Sequence, residues 1–210
     1  MPNKSLIISL AGGHATGVVK VAKKLQESIA KFFGNTTVTI IDLDAIAKST
    51  AERTYSALDI DFDELCFDLK NITHDGIDII IICGCYALYD KRINNLSKLK
   101  VFLDSDADKR LVNLILGERA DTPELLSALI AQYMDRLRPE MTKYIEPTIT
   151  NADLIIPYEN EEVGFQIILD GVIKVIEQID GDRRQHTSTP VWDYENERMD
   201  VQKERYYDLS

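Results

Sequence analysis

The apolar residues of this chain follow two alternating spacings along its length. Short runs rich in β-branched residues predict strands at residues 7–11, 38–43, 77–82, 100–103 and 152–156. Apolar residues three or four positions apart predict helices at residues 18–32, 61–72, 123–133 and 163–179, and through Leu111, Leu114 and Ile115. Repeated strand and helix units are typical of an α/β fold with a mostly parallel sheet and helices on both faces. In such folds, ligands bind at the carboxyl ends of the strands.

Capping residues support two of these helix starts, and one segment has no regular pattern. Thr122 followed by Pro123 is a typical start for the helix at residues 123–133. Ser105 or Asp106 is expected to cap the helix through Leu111. Residues 48–59 are polar and show no period, which predicts a mobile or substrate-facing loop.

A glycine-rich turn connects the first strand to the first helix with the spacing of a phosphate-binding loop. This turn, called the glycine loop below, consists of Gly12, Gly13, His14, Ala15, Thr16, Gly17, Val18 and Val19. In the motif G-x-x-x-x-G-K-[ST], backbone N–H groups contact phosphate oxygens, the lysine contacts the β- and γ-phosphates, and the hydroxyl holds Mg²⁺. Here Val18 and Val19 occupy the lysine and hydroxyl positions. The sequence therefore predicts a phosphate site without its lysine and its metal-binding hydroxyl.

Two nearby side chains are candidates for the missing positive charge. His14 is either a surface histidine or a donor to phosphate, and it would be charged only near a pKa of about 6.5. Lys20 follows the lysine position by two residues, which corresponds to about 200° further around a helix. We therefore expect Lys20 to point away from the mouth of the loop.

Composition excludes some classes of partner. The 210 residues, 45% of them hydrophobic, are enough for one domain with a sizeable core. The net charge of -11 and the pI near 4.8 argue against nucleic acid and against an anionic membrane surface, because both are bound through lysine and arginine. We expect small molecules or proteins as partners, including a homo- or hetero-oligomer.

The chain has no pattern of a targeting or membrane segment. No basic stretch followed by an apolar run is found near the N-terminus, and the apolar run at residues 77–89 is interrupted and too short to span a bilayer. This predicts a cytoplasmic protein and leaves the nucleus open. We expect one domain over residues 1–180 and a polar tail over residues 181–210. The aromatic residues of the tail favour either a disordered segment or a peptide that docks on a subunit.

The three cysteines and one acidic cluster do not match metal motifs. Cys66, Cys83 and Cys85 are odd in number and have a C-x-C spacing, so we expect buried, reduced thiols. The acidic residues between positions 104 and 108 lack the glycine and glutamate of a calcium loop, because Lys109 and Ile115 occupy those positions. Helix capping explains this acidic cluster better than calcium binding does.

Several segments of the chain resemble the uridine/cytidine kinases. They are residues 88–92 (LYDKR), 100–111 (KVFLDSDADKRL), 132–133 (QY), 144–148 (YIEPT) and 152–157 (ADLIIP). The likeness extends from about residue 6 to residue 179. The resemblance implies a P-loop kinase-like, three-layer fold and ATP- and Mg²⁺-dependent phosphorylation of uridine or cytidine at the 5′-hydroxyl in pyrimidine salvage. A nucleoside and a nucleoside triphosphate would then be the partners of the chain.

Two functional residues of that family have counterparts here. Asp44 lies where the family has its catalytic base, directly after the second strand, although the neighbouring residues differ. Gln132 matches a nucleoside contact of the family. The resemblance therefore implies Asp44 as base and Gln132 as a nucleoside-binding residue.

Most other functional positions of the family are changed. The ribose-binding aspartate aligns with Leu58, next to Asp59, and the metal-organising glutamate aligns with Cys83. The hairpin that closes over the base would fall between residues 72 and 76, where only three residues are available. The lid arginine positions hold Asn113, Leu114, Gly117, Thr122 and Glu124, with Arg119 close to one of them.

Two hypotheses of different class follow from these residues. The first is a divergent, weakly active uridine/cytidine kinase that uses Asp44 as base. The second is a catalytically silent relative that regulates or supports an active kinase or another protein, or senses a nucleoside. Phosphoryl transfer depends mainly on positioning and on electrostatic stabilisation, so the loss of lysine, hydroxyl, glutamate and arginines favours the second hypothesis.

Overall fold

The computed structural model describes residues 5–33, 36–47, 52–71, 78–157 and 161–187. The chain divides into two units, Met1–Val175 and Ile176–Ser210, and the sheet lies in the first. The last helix extends to Thr187, and the rest of the predicted tail lies outside the described residues, as does the position of the missing hairpin. In the part that is described, no helix has both the length and the apolar character needed to cross a membrane.

In the described part of the chain, five strands form one sheet with parallel neighbours throughout. The strands are β1 (Leu6–Gly12), β2 (Thr37–Asp42), β3 (Asp78–Gly84), β4 (Ser97–Asp104) and β5 (Leu154–Pro157). Their order across the sheet is β2-β3-β1-β4-β5. All five strands occur where strands are predicted, and the α/β class is confirmed. Leu43, the predicted end of the second strand, instead begins a helix because the Asp42 side chain accepts hydrogen bonds from the N–H groups of Asp44 and Ala45.

The helices between the strands include short ones that the sequence does not predict. The described helices are α1 (Val18–Phe32), α2 (Leu43–Ile46), α3 (Phe62–Asn71), α4 (Lys91–Leu96), α5 (Ala107–Gly117), α6 (Pro123–Gln132), α7 (Arg138–Glu140) and α8 (Glu161–Thr187). The short helices without a prediction are α2, α4 and α7. Two 3₁₀ turns, Ala57–Asp59 and Glu146–Asn151, and two π-helical turns, Tyr133–Leu137 and Met141–Ile145, complete the description. The Thr122 cap of α6 is confirmed, since its hydroxyl accepts the N–H of Leu125.

The core has apolar layers on both faces of the sheet. All seven residues of β1 are buried, which requires cover on both sides. On one face, Ile7 and Ala11 belong to a cluster with Leu65 of α3 and Ile93 of α4. The helix α1 contacts β1, β2 and β3, and its buried residues lie outside that cluster, so α1 covers the other face. These are the three layers that the family resemblance implies.

Parallel strands bring the candidate residues to one edge of the sheet. β1 ends at Gly12 and β3 ends at Gly84, while Asp44 lies in α2 directly after β2. The carboxyl ends of neighbouring parallel strands lie at the same edge, where α/β proteins bind ligands. The glycine loop and Asp44 therefore meet at this edge, as predicted.

Candidate functional site

The glycine loop forms a tight turn at the start of a long helix. Ala15 and Gly17 have positive φ angles of 59° and 78°, and Gly17 is the N-cap of α1. The hydroxyl and the N–H of Thr16 both donate to the carbonyl of Gly13, at 2.7 and 3.2 Å. Left-handed residues in a turn and the free N–H groups of a helix start create a site that favours anions. The backbone therefore has the shape of a phosphate site.

Close packing requires glycine at the first two loop positions. A Cβ atom on Gly12 would lie 2.6 Å from Oγ1 of Thr16. A Cβ atom on Gly13 would lie 2.8 Å from Cδ of Arg110 and 2.9 Å from Sδ of Met141. These neighbours, with the hydrogen bond from the Asn113 amide to the carbonyl of Ala15 (3.1 Å), fasten the loop to α5 and to the turn after α7.

The two valines of the loop contribute only packing. Val18 is 6% exposed, and Val19 is partly buried. Neither side chain has a polar atom, so neither supports phosphate or a metal ion at the start of α1. The predicted loss of the lysine and the hydroxyl thus coincides with a loop whose backbone remains well formed.

Asp44 lies beside the end of β3 with its carboxylate turned toward the backbone. Its two oxygens accept the N–H of Cys85, at 3.1 and 3.3 Å. A Cβ atom on Gly84, which has a φ of 134°, would lie 3.2 Å from Oδ1 of Asp44, so glycine permits this approach. The residue as a whole is exposed, but its carboxylate lies against the end of β3, and this local burial raises its pKa above 3.8, which the Cys85 N–H only partly offsets.

His14 is not a surface residue, and that interpretation of the sequence is wrong. Its side chain is 13% exposed, with Nε2 2.8 Å from Oε2 of Glu140 and Nδ1 3.4 Å from Sγ of Cys85. Burial, with the nearby charges of Asp44 and Glu140, raises the pKa of the Cys85 thiol well above its usual value. Because a carboxylate only accepts hydrogen bonds, Nε2 of His14 must be the donor to Glu140.

Glu140 is the buried acceptor of a cluster that the sequence does not predict. Its side chain is fully buried, and besides His14 it accepts the hydroxyl of Tyr86 at 2.7 Å and Nη2 of Arg53 at 3.3 Å. Burial raises the pKa of Glu140, but the hydrogen bonds from His14 and Tyr86 and the charge of Arg53 outweigh it and hold the pKa below 4.5. The carboxylate is therefore ionised at neutral pH.

Irregular helix geometry around Pro139 accompanies the burial of the Glu140 side chain. Pro139 has no N–H and its ring crowds the carbonyl four residues earlier, and π-helical turns lie on both sides of α7. The neighbours Leu137 and Met141 are also buried. A carboxylate among apolar positions of one helical segment was the available signal in the sequence.

Gln132 and Asp59 contact other parts of the protein. The Gln132 amide lies 3.5 Å from the hydroxyl of Tyr55, so its nucleoside-binding role stays a prediction. Asp59 is 3% exposed and accepts hydrogen bonds from Thr54 and Ser56 in a capped turn. Leu58, at the aligned position of the ribose-binding aspartate, is 76% exposed. Asp59 is therefore already occupied within the protein and does not replace that aspartate.

A cavity of about 260 Å³ opens beside the glycine loop. It is lined by residues 15–17, by apolar side chains including Leu103 and Phe165, and by Asn113 and Lys20. Lys20 therefore borders this cavity, and the expectation that it points away from the mouth of the loop stays a prediction. At about 260 Å³ this cavity is smaller than the roughly 300 to 1,000 Å³ of typical ligand pockets, so its size suits only a small group such as a single ring beside the loop.

A second, more open cavity of about 600 Å³ lies next to the capped turn of Asp59. Its walls include Phe62, Tyr89 and Tyr144 together with Asp63 and Arg92. The Phe62 and Tyr89 rings stack at 6.0 Å, and Arg92 contacts Asp63. This cavity offers aromatic faces and charged groups at the surface.

The donor set at the edge of the sheet does not fit Mg²⁺. This ion needs oxygen ligands in octahedral geometry. The positions that the resemblance assigns to the metal hold Val19 and Cys83, and burial raises the pKa of the Cys83 thiol to about 12. Among the described residues, no group of three or more histidine, cysteine, aspartate or glutamate side chains is arranged for a metal ion. The expectation of free, buried cysteines is confirmed for Cys66, Cys83 and Cys85.

Comparisons with known proteins agree with this architecture. The model of the phosphoribulokinase/uridine kinase family matches residues 45–163, a span that begins after the glycine loop. The Saccharomyces cerevisiae protein named putative uridine kinase DAS2 is 47% identical over 99% of this chain and 97% of its own length. The uridine kinase of Lactococcus lactis is 27% identical over 82% of this chain and 98% of its own length.

Two solved structures have a similar fold at low sequence identity. The phosphoribulokinase of Rhodobacter spheroides has a TM-score of 0.55 and 16% identity over 74% of this chain and 70% of its own. The shikimate kinase of Bacteroides thetaiotaomicron has a TM-score of 0.51 and 18% identity over 82% of this chain and 98% of its own. This likeness establishes the α/β kinase-like fold and nothing about substrates.

Proposed function

The chain belongs to the phosphoribulokinase/uridine kinase family, and we propose that it binds a nucleotide but has lost nearly all phosphoryl transfer. The observation that carries this proposal is the buried Val18 at the lysine position of a glycine loop whose backbone is intact. A formed loop beside a cavity supports binding, while Val18 and Val19 offer no support for transfer.

Nucleotide binding is supported by the backbone and by the adjacent cavity. The turn at Gly17 and the N-terminus of α1 favour an anion, and the apolar cavity begins at residues 15–17 of the same loop. A phosphate on the loop and a base in the cavity would therefore belong to one ligand. Because the family consists of kinases, ATP is the nucleotide that we propose.

Phosphoryl transfer lacks most of the groups that stabilise its transition state. One arginine in this chemistry is worth about 10³ to 10⁵ in rate. The chain has Asn113 and Leu114 at lid arginine positions, and Asn113 is engaged with the carbonyl of Ala15. Asp44 keeps the place of the base, with a carboxylate that can accept a proton. A base without an activated phosphate gives little turnover.

A role as regulatory partner of an active nucleoside kinase is a second candidate. Apolar side chains on α5 and α6 are exposed in the region where the family resemblance implies an arginine-rich lid, with Leu116 70%, Val112 53% and Leu125 46% exposed. Val112 and Leu116 are four residues apart on α5 and so lie on one helical face, and exposed apolar faces are typical of protein-binding surfaces. An effect of the protein on turnover by an active uridine kinase would distinguish this role from binding alone.

Calorimetry with ATP and a uridine phosphorylation assay test the proposed function. We expect weak ATP binding that changes little when Mg²⁺ is added, because the loop has no lysine and the site has no metal ligands. We expect no uridine phosphorylation beyond the level of the Asp44→Asn variant. Tight ATP binding that Mg²⁺ strengthens, with turnover that Asp44→Asn abolishes, would contradict the proposal and establish an active kinase.

A further inference from the structure

Three side chains from separate parts of the chain point their donors at one buried carboxylate. His14 belongs to the glycine loop, Arg53 precedes the capped turn of Asp59, and Tyr86 follows β3. Their donor atoms lie 2.8, 3.3 and 2.7 Å from the oxygens of Glu140. Imidazole, guanidinium and phenol groups at these distances are the donors with which proteins bind phosphate.

One buried donor of this cluster has no acceptor in the described part of the chain. Nε of Arg53 is buried and has no hydrogen-bond acceptor among the described residues, and Oδ2 of Asp59 is 3.8 Å away from it. A carboxylate has two oxygens, whereas a phosphate presents three or four. Nε of Arg53 lies beyond the reach of the Glu140 oxygens that the other donors contact, and the tetrahedral oxygens of a phosphate could accept from it as well.

We propose that His14, Arg53 and Tyr86 form a phosphate-binding site that the chain's own Glu140 carboxylate occupies in this structure. The ligand is inorganic phosphate or the terminal phosphate of a nucleotide, since both present the same group. The inference deepens the proposed function and rests on it only for the nucleotide, because the three donors can be tested with phosphate alone.

The position of Glu140 gives it a direct effect on the glycine loop. Its partner His14 is itself a loop residue, so a phosphate on the loop would meet the negative charge of Glu140 at close range. Asp44 adds a second carboxylate at this edge of the sheet. Two like charges near the site oppose an incoming phosphate, and this repulsion is strong where water is excluded. Glu140 therefore weakens the binding of phosphate at the loop.

A purely structural role for Glu140 predicts a different effect of added phosphate on the stability of a Glu140 variant. A carboxylate that only joins three segments can be removed with a loss of stability, but no added ligand would restore that loss. A carboxylate that occupies a phosphate site leaves donors behind when it is removed, and an added anion can then bind to them. Rescue by phosphate therefore separates the two roles.

The test measures the melting temperature of Glu140→Ala against the concentration of inorganic phosphate. We expect Glu140→Ala to melt below the wild type and to regain stability in a saturable manner as phosphate is added. The wild type and Glu162→Ala should respond weakly and equally. Glu162 is a suitable control because its carboxylate is exposed and contacts Lys24, away from the cluster. Adding Arg53→Met to Glu140→Ala should abolish the rescue. Absence of rescue, or rescue of equal size in Glu162→Ala, would overturn the inference.

A second variant keeps the test decisive if Glu140→Ala does not fold. Glu140→Gln preserves the shape of the side chain and removes its charge, and calorimetry should give phosphate affinity at least about tenfold above the wild type. Equal affinity in the two proteins would overturn the inference. Parallel titrations of Glu140→Gln with inorganic phosphate, ATP and adenosine identify the source of the phosphate. A nucleotide site would bind ATP more tightly than inorganic phosphate, and adenosine shows whether the nucleoside part binds without a phosphate.

These arms separate the inference from the proposed function. ATP binding by the wild type tests the proposed function alone, and phosphate binding by the Glu140 variants tests the inference alone. If the Glu140 variants do not bind phosphate while the wild type binds ATP weakly, the inference fails and the proposed function stands. If the variants bind phosphate while ATP binds tightly and turns over in the wild type, the reverse holds.

Discussion

Carboxylates at the carboxyl edge of the sheet differ in pKa because their partners differ. Glu140 accepts hydrogen bonds from His14 and Tyr86, and its pKa is lowered although it is buried. The Asp44 carboxylate accepts the N–H of Cys85, and burial raises its pKa. The same edge thus holds one carboxylate that folding keeps ionised and one that folding favours in its neutral form.

The raised pKa of Asp44 gives a pH dependence with a defined sign. A folded pKa above 3.8 means that this group stabilises the protein below pH 3.8 and loses that contribution as the pH rises through the folded pKa. Asn resembles the neutral acid and can still accept the Cys85 N–H. We therefore expect Asp44→Asn to gain melting temperature relative to the wild type between pH 4 and pH 7, by no more than about 2 °C because the residue is partly exposed.

Thermal unfolding of the wild type and of Asp44→Asn across this pH range checks the expectation. Asp68→Asn on the exposed side of α3 is the matched control for the loss of one negative charge. A difference between Asp44→Asn and the wild type that stays constant, or shrinks as the pH rises, would show that burial does not dominate at Asp44.

At the residue scale, the sequence predicts the glycine loop and not the cluster around Glu140. The loop is contiguous, and its glycine spacing is visible without a structure. His14, Arg53, Tyr86 and Glu140 are separated by more than 30 residues each, and only the folded sheet edge brings them together. The surface interpretation of His14 was wrong because the sequence does not show that a carboxylate lies opposite.

At the scale of elements, long periodic segments are predictable and short ones are not. The segments that became α1, α3, α6 and α8 each contain at least two helical turns of apolar spacing, and all are present. The helices α2, α4 and α7 have three to six residues and depend on single caps or on neighbouring turns, such as the Asp90 side chain that accepts the N–H of Arg92 in α4. A period cannot be detected in so few residues.

The cap of α6 provides a test of such local chemistry. The Thr122 hydroxyl accepts the N–H of Leu125 at 3.2 Å, and Pro123 occupies the first helical position. Removing this acceptor in Thr122→Ala should lower the free energy of unfolding by about 0.5 to 2 kcal/mol. Urea unfolding measures this change. Ser127→Ala, at an exposed position inside the same helix, should cost nothing because alanine favours helices. Equal losses in the two variants would show that the cap does not stabilise α6.

At the scale of the whole molecule, fold and catalysis depend on the sequence in different ways. Many buried residues specify the sheet order and the three layers, so the fold is retained when individual site residues change. Phosphoryl transfer needs a few charged groups placed together, and the loss of one affects all the others. The α/β fold with its parallel sheet could therefore be predicted from the pattern of the chain, and its kinase-like form from the family resemblance, while the state of the site required its individual residues.

Restoring the lysine and hydroxyl positions of the glycine loop tests whether nucleotide binding can be recovered without catalysis. Val18→Lys with Val19→Thr places a lysine and a hydroxyl at the start of α1, and the buried stem of the lysine can extend its ammonium group to the mouth of the loop. We expect the double variant to bind ATP at least about tenfold more tightly than the wild type, or about 1.4 kcal/mol. Val19→Thr alone is the control, and it should bind ATP no better than about twofold because the charge is still absent.

Uridine phosphorylation should remain absent in this double variant. By the family resemblance, Cys83 stands at the position of the metal-organising glutamate and Asn113 and Leu114 stand at lid arginine positions. By the inference above, Glu140 opposes phosphate beside His14. Groups that act as a unit in catalysis do not recover one at a time. A coupled assay that detects robust uridine turnover by the double variant would mean that the loop alone had been lost, and that the lid and the metal site of this chain can be replaced by groups outside the positions the family uses.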